Sequence, residues 1–143
     1  MISARPFVPL ACIVLAAALA LPACAADCAS PPDAWLIGSW GTPLTHVQFK
    51  HEGKDIAWEY RREPGVVTER WGEKKPAIAK GIVTRVQGCE VEMKGAYTEY
   101  GGTQKAVGYP MQYLVTFDGA RMLQGKGLGF GKEWFEVQWR RAQ

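Results

Sequence analysis

The chain has few of the residue patterns on which common chemistries rest. It holds two histidines, His46 and His51, in 143 residues. On one continuous strand an offset of five places them on opposite faces, so they cannot share a metal without a bend. They read as surface histidines near turns, and no metal or cofactor is expected. There is no C-x-x-C pair for redox work and no G-x-S-x-G for a serine nucleophile. Gly125, Gly127, Gly129 and Gly131 recur at every second position. A phosphate-cradling loop would need a helix after them; the alternating stretch Glu133–Arg140 follows instead, so they read as places where a strand bends or aromatic rings approach the backbone. Asp55 and Glu59 share a strand face, as do Glu90 and Glu92. Glu90 and Glu92, two apart, would lie about 6–7 Å from each other, within the range of paired catalytic carboxylates; Asp55 and Glu59, four apart, would lie about 13 Å from each other. Yet Arg61 and Lys94 occupy the same faces, as on a solvated sheet, and no enzyme is expected.

Charge of one sign is also scarce. Seventeen basic and fourteen acidic residues give +3. Arg61-Arg62 and Lys74-Lys75 are punctuated by Glu59, Glu63, Glu69 and Glu73, and Arg140-Arg141 stands apart. Nucleic-acid binding needs basic residues gathered on one face, so it is not expected. Hydrophobic residues at 48% and charged residues at 22% exclude a disordered or fibrous chain.

The N-terminus carries Arg5, an apolar run from Val8 to Leu21, and the small residues Ala23-Cys24-Ala25-Ala26. That three-part pattern reads as a secretory signal over residues 1–26, leaving about 117 residues for one domain. The apolar run is too short to span a bilayer comfortably. The alternative is lipidation: Leu21-Pro22-Ala23-Cys24 resembles a bacterial lipobox, which would anchor Cys24 to a membrane. Periplasmic or secreted location is the expectation, with an outer-membrane lipoprotein as the alternative. Cys28 and Cys89 then remain, and in an oxidising compartment they pair most simply with each other.

Beyond a Pro-rich lead-in, strand signals dominate. Asp55–Arg62 alternates, with Ile56, Trp58 and Tyr60 on one face; with Leu44–Lys50 and the turn at Gly53 it reads as a hairpin. Val66–Trp71 follows. Ala77–Gln87 is ambiguous: Ile78, Ile82 and Val86 have helical spacing, but its β-branched residues suit a strand. Cys89–Lys94 alternates. Residues 95–110, with four glycines and three tyrosines, read as a long mobile connection. Met111–Asp118 places Met111, Tyr113, Val115 and Phe117 on one face, Asp118-Gly119 signals a turn, and Arg121–Gly127 and Glu133–Arg140 complete eight candidate strands. Short links imply antiparallel neighbours. Eight such strands close into an up-and-down barrel; a two-sheet sandwich is the alternative.

Gly38-Ser39-Trp40 resembles the G-x-W motif of the lipocalins and the wider calycin superfamily, in which a basic residue near the chain end packs over the tryptophan. Arg140 or Arg141 occupies that place here. The resemblance implies a small antiparallel barrel plugged at its N-terminal end by Trp40, with Gly38 and Arg140 as structural partners. The chain is shorter than typical lipocalins, and its Trp richness is similar to that of the avidins.

Six tryptophans, Trp35, Trp40, Trp58, Trp71, Trp134 and Trp139, lie beyond residue 26. Trp58 and Trp139 share faces with apolar neighbours and read as core; Trp134 points the other way, beside Glu136 and Gln138, which suggests a contact surface. The functional expectation is an exported, monomeric, non-catalytic binding protein for a small apolar or amphipathic molecule. Trp58, Tyr60, Tyr113 and Phe117 would line its interior, and Tyr97, Tyr100 and Tyr109 would form a mobile lid. The alternative is a protein-binding envelope module, such as an inhibitor of a secreted hydrolase, acting through Gly72–Pro76 or Tyr100–Pro110.

Overall fold

Alternation along each strand decides the architecture. A computed structural model describes residues 28–64, 75–101, 105–130 and 132–143. A 3₁₀ turn at Pro32–Ala34 precedes β1 (Gly38–Gly41), β2 (Thr45–Glu52), β3 (Asp55–Arg62), β4 (Ala77–Gln87), β5 (Glu90–Tyr100), β6 (Pro110–Phe117), β7 (Met122–Leu128) and β8 (Trp134–Arg140). All eight form one antiparallel sheet in sequence order, curled into a nearly closed barrel. One continuous sheet in this order decides for the barrel and against the sandwich. The signal and lipobox residues and Val66–Trp71 lie outside the described residues.

The inward positions follow period two. Val47 and Phe49 on β2, Trp58 on β3, Val91 and Met93 on β5, Met111, Tyr113, Val115 and Phe117 on β6, and Leu123 on β7 form the buried core. Ala77–Gln87 is strand throughout and pairs with β3 and β5. His46 and His51 fall on opposite faces of β2; the exposed His51 Nε2 lies 3.3 Å from the Asp33 carboxylate.

Two expectations are corrected. Residues 95–110 are not all connection: β5 continues to Tyr100, and Tyr97 is buried in it. The glycine that suggested a loop at position 95 is a packing requirement, since a Cβ there would stand 2.7 Å from Trp58 Cζ2. The first strand begins at Gly38, ahead of the Leu44–Lys50 segment.

The two ends of the barrel differ. At one end the Cys28–Cys89 disulfide ties the lead-in to the β4–β5 turn, Trp35 stacks on Phe117 at 5.1 Å, and Trp40 meets Phe117 edge-on at 5.6 Å. Trp40 Nε1 donates to the Leu36 carbonyl at 2.9 Å. The residue over Trp40 is Arg141, whose guanidinium lies 4.3 Å from the ring centroid and also donates to the carbonyls of Trp35 and Ile37. Arg140, the other of the two candidates, is exposed, because on β8 it falls in phase with Trp134, Glu136 and Gln138. Arg141 lies just past the strand and bridges Trp40 directly. This is the plugged end. The other, loop end carries the β1–β2, β3–β4, β5–β6 and β7–β8 connections.

The β6–β7 turn at the plugged end is held by one carboxylate. Asp118 Oδ1 accepts backbone N–H bonds from Ala120, Arg121 and Met122 at 2.7, 2.8 and 3.0 Å. The bond from Met122 leads in holding its pKa below the ordinary carboxylate range. A carboxyl more acidic in the folded state adds stability above its unfolded pKa, and that share is lost as pH falls through the folded value. Asp118→Asn is therefore expected to flatten part of the acid limb of a plot of unfolding free energy against pH. An unchanged acid limb would assign the dependence to other carboxylates.

Candidate functional site

The inward rows of β3, β6 and β8 converge toward the loop end as a cluster of rings. Tyr113 sits at its centre. Its ring meets Trp58 at 5.6 Å, Tyr60 at 6.1 Å, Phe135 at 6.1 Å and Trp139 at 4.9 Å. Most of these contacts are edge-on or steeply tilted, as ring quadrupoles prefer. Gly127 on β7 makes room for it: a Cβ there would fall 2.6 Å from both Tyr113 Cε1 and Phe135 Cζ.

The Tyr113 side chain is 0% exposed, and its hydroxyl has no hydrogen-bond partner among the described residues. Burial, first of all, pushes its pKa well up, with Tyr60 and Tyr97 adding to the shift and Arg62 opposing it. A buried phenol remains neutral and needs an acceptor or a donor.

A second aromatic layer lies nearer the loop end. Tyr97 and Tyr100 meet perpendicularly at 4.8 Å, Tyr100 meets Phe130 at 5.5 Å, and Phe130 meets Tyr109 at 5.3 Å. The Arg62 guanidinium lies 5.5 Å from the centroid of Tyr100. Leu44, Val107, Phe130, Trp134 and Phe135, large apolar residues left exposed, all belong to this end. The Trp134 ring is on the outer wall, with Lys126 Nζ at 4.7 Å from its centroid.

Of the expected lining residues, Trp58, Tyr113 and Phe117 are buried among other core side chains. Tyr60 borders a cleft of about 340 Å³ with Gly41, Thr42, Thr45 and β8, and Tyr109 borders an outer groove of about 320 Å³ with Lys94, Met111 and Lys132. The tyrosine lid is corrected: Tyr97 and Tyr100 are strand residues of β5, fixed by ladder pairing and ring packing. Sequence reasoning missed Arg62, Phe130 and Phe135 as site residues. Arg62 could have been found by extending the inward row Trp58, Tyr60 by one more step of two. Among the described residues no group of three or more His, Cys, Asp or Glu is placed to hold a metal ion.

No family model, curated protein or solved structure matches the chain.

Proposed function

We propose that this is an exported, non-catalytic binding protein whose small ligand has an apolar body and at least one hydrogen-bonding group, taken up at the loop end of the barrel. The observation that carries this reading is the Tyr113 hydroxyl, buried without a partner among the described residues beneath a second layer of aromatic rings. Leaving such a group unpaired costs about 1–3 kcal/mol, a cost a ligand acceptor would remove on binding. The apolar residues exposed at this end give the ligand body a surface to cover. The Trp40–Arg141 stack supports placing the chain beside the calycins, and the tripartite start with the Cys28–Cys89 bond supports an oxidising, extracytoplasmic location.

Native mass spectrometry of protein taken from its own compartment tests this directly. Extra mass lost on denaturation is expected. Anilinonaphthalene sulfonate, an amphipathic probe, should bind with a rise in its emission and quenching of tryptophan. Tyr113→Phe is expected to raise the stability of the empty protein by about 1 kcal/mol while weakening the ligand about fivefold. A bare native mass together with no probe binding would overturn the reading. A protein-binding role is favoured by a separate feature, the open seam of the barrel.

A further inference from the structure

Among the described residues the barrel's ladder is continuous except at one seam. Strand β8 pairs with β7 along its whole length, Met122 opposite Arg140 through Leu128 opposite Trp134. On its other edge it meets β1 through the Trp40–Arg141 bridge and the bond from Ala142 N to Ser39 O at 2.9 Å. β1 stops at Gly41, and the chain turns through Thr42 to enter β2 at Thr45. Residues Trp134 to Gln138 therefore have no strand beside that edge among the described residues.

In an antiparallel edge every second residue aims its N–H and C=O away from its neighbour strand. Natural edges are guarded by proline, lysine, bulges or inward charges. β8, reading Trp-Phe-Glu-Val-Gln-Trp-Arg, has no proline and no lysine, and its pairing with β7 shows no register shift. Its inward residues are Phe135, Val137 and Trp139, all apolar. Its aromatic and β-branched residues suit a central strand rather than an edge.

The space alongside has matching chemistry. The cleft of about 340 Å³ next to β8 is bounded by Tyr60, Phe135 and Trp139 as well as by Gly41, Thr42 and Thr45. Phe135 is 41% exposed although its phase on β8 directs it inward. Among the described residues no neighbour strand covers it on that side. The cleft leads into a second groove, of about 470 Å³, which shares Gly41, Thr42 and Arg140 with it and adds Arg121 and Arg141. Arg141 is held by Trp40. Arg121 and Arg140 are exposed and form no ion pair among the described residues; the carboxylate of Asp118 feels Arg140 through space.

From this we infer a strand-addition site: an extended peptide segment of another protein, apolar at alternate positions and acidic at the end lying over Arg121 and Arg140, pairs with the edge of β8 that is unpaired among the described residues and completes the barrel. Main-chain bonds to β8 supply affinity, one side-chain row enters the cleft against Tyr60 and Phe135, and the arginines select the acidic end. This site stands beside the small-ligand reading and does not depend on it.

The test uses the disulfide-bonded protein and labelled synthetic peptides that alternate valine and threonine and carry aspartates at one end or the other. Fluorescence anisotropy should show saturable binding for one placement of the acids. Amide exchange at the alternate residues of 134–138 whose N–H points away from β7 should be fast in the protein alone and slow about tenfold or more with peptide. Two further peptides carry N-methyl groups on alternate amides in opposite phase. One phase should lose binding about tenfold or more and the other should keep it, because only one row of amides faces β8. Arg121→Glu with Arg140→Glu should weaken the acidic peptide about tenfold without moving the melting temperature. Four results would each overturn the inference. They are no binding by any peptide, slow exchange at those outward-pointing amides before peptide is added, equal binding by both N-methylated phases, and undiminished affinity after charge reversal. Tyr113→Phe should leave peptide affinity unchanged, which separates failure here from failure of the small-ligand reading.

Discussion

Replacing Cys28 and Cys89 together by alanine is expected to remove about 4 kcal/mol from the stability of the barrel. The bond closes a loop with a sequence separation of 61, and chain-entropy bookkeeping for a loop of that length gives about that figure. The enclosed segment contains β1 to β4, half the strands of the sheet, so the cross-link restricts much of the unfolded chain. In the folded state it also holds the lead-in against the plugged end, where Trp35 lies on Phe117 and the Phe117 amide donates to the Cys89 carbonyl at 2.9 Å. A domain of this size has about 5–15 kcal/mol in total, so the loss is a large share of it. Urea titration of the oxidised protein and of the double-alanine variant measures the difference. A loss below about 1 kcal/mol would mean that the unfolded chain is already compact around these residues, so that closing the loop costs little.

Where alternation is strong, the sequence carries the fold. Asp55–Arg62 was readable because Ile56, Trp58 and Tyr60 face one way and Asp55, Glu59 and Arg61 the other, and β3 has those bounds. Met111 to Phe117 was readable for the same reason. Alternation fails where glycine replaces an inward side chain to admit a ring from another strand. Gly95 yields to Trp58, so β5 looks like a loop from that point on. In β1, glycines at both ends of Gly-Ser-Trp-Gly adopt positive φ, 126° at Gly38 and 103° at Gly41, so the strand is short and its pattern faint. Arg141 rather than Arg140 covers Trp40 because the pairing partner changes from β7 to β1 where β8 ends, a geometry that spacing alone does not encode. The candidate site was legible only in part. The inward row of β6 marks Tyr113 as interior, but whether its hydroxyl finds a partner depends on side chains from β3, β5 and β8. Likewise, the exposure of Phe135 depends on the four-residue length of β1, which stops short of covering β8.

The second large effect is expected at Trp40. The ring is 0% exposed, its indole N–H holds the Leu36 carbonyl at 2.9 Å, its face carries Arg141 at 4.3 Å and its edge meets Phe117. Trp40→Ala is expected to cost about 3–5 kcal/mol, the usual range for emptying a buried tryptophan site. Trp40→Phe should cost less, since a ring remains to fill the space, but it leaves the Leu36 carbonyl without its donor. Arg141→Lys keeps the charge and loses the planar stack and the forked donation to the Trp35 and Ile37 carbonyls. Burial lowers the pKa of Arg141, so part of what Trp40 supplies is compensation for desolvating that cation. The two side chains should therefore be coupled. A double-mutant cycle of Trp40→Phe and Arg141→Lys, read by urea denaturation, should show a non-additive share of about 1 kcal/mol. Strict additivity would mean that the stack is a contact without energetic consequence, and that the plug is held by the disulfide and the Trp35–Phe117 pair. Affinity for the amphipathic probe at the loop end should survive Trp40→Phe. Tyr113, Tyr60 and the rings above them draw their positions from β3, β5, β6 and β8 rather than from the plug, so a change at Trp40 should lower stability and leave the arrangement of these rings in place.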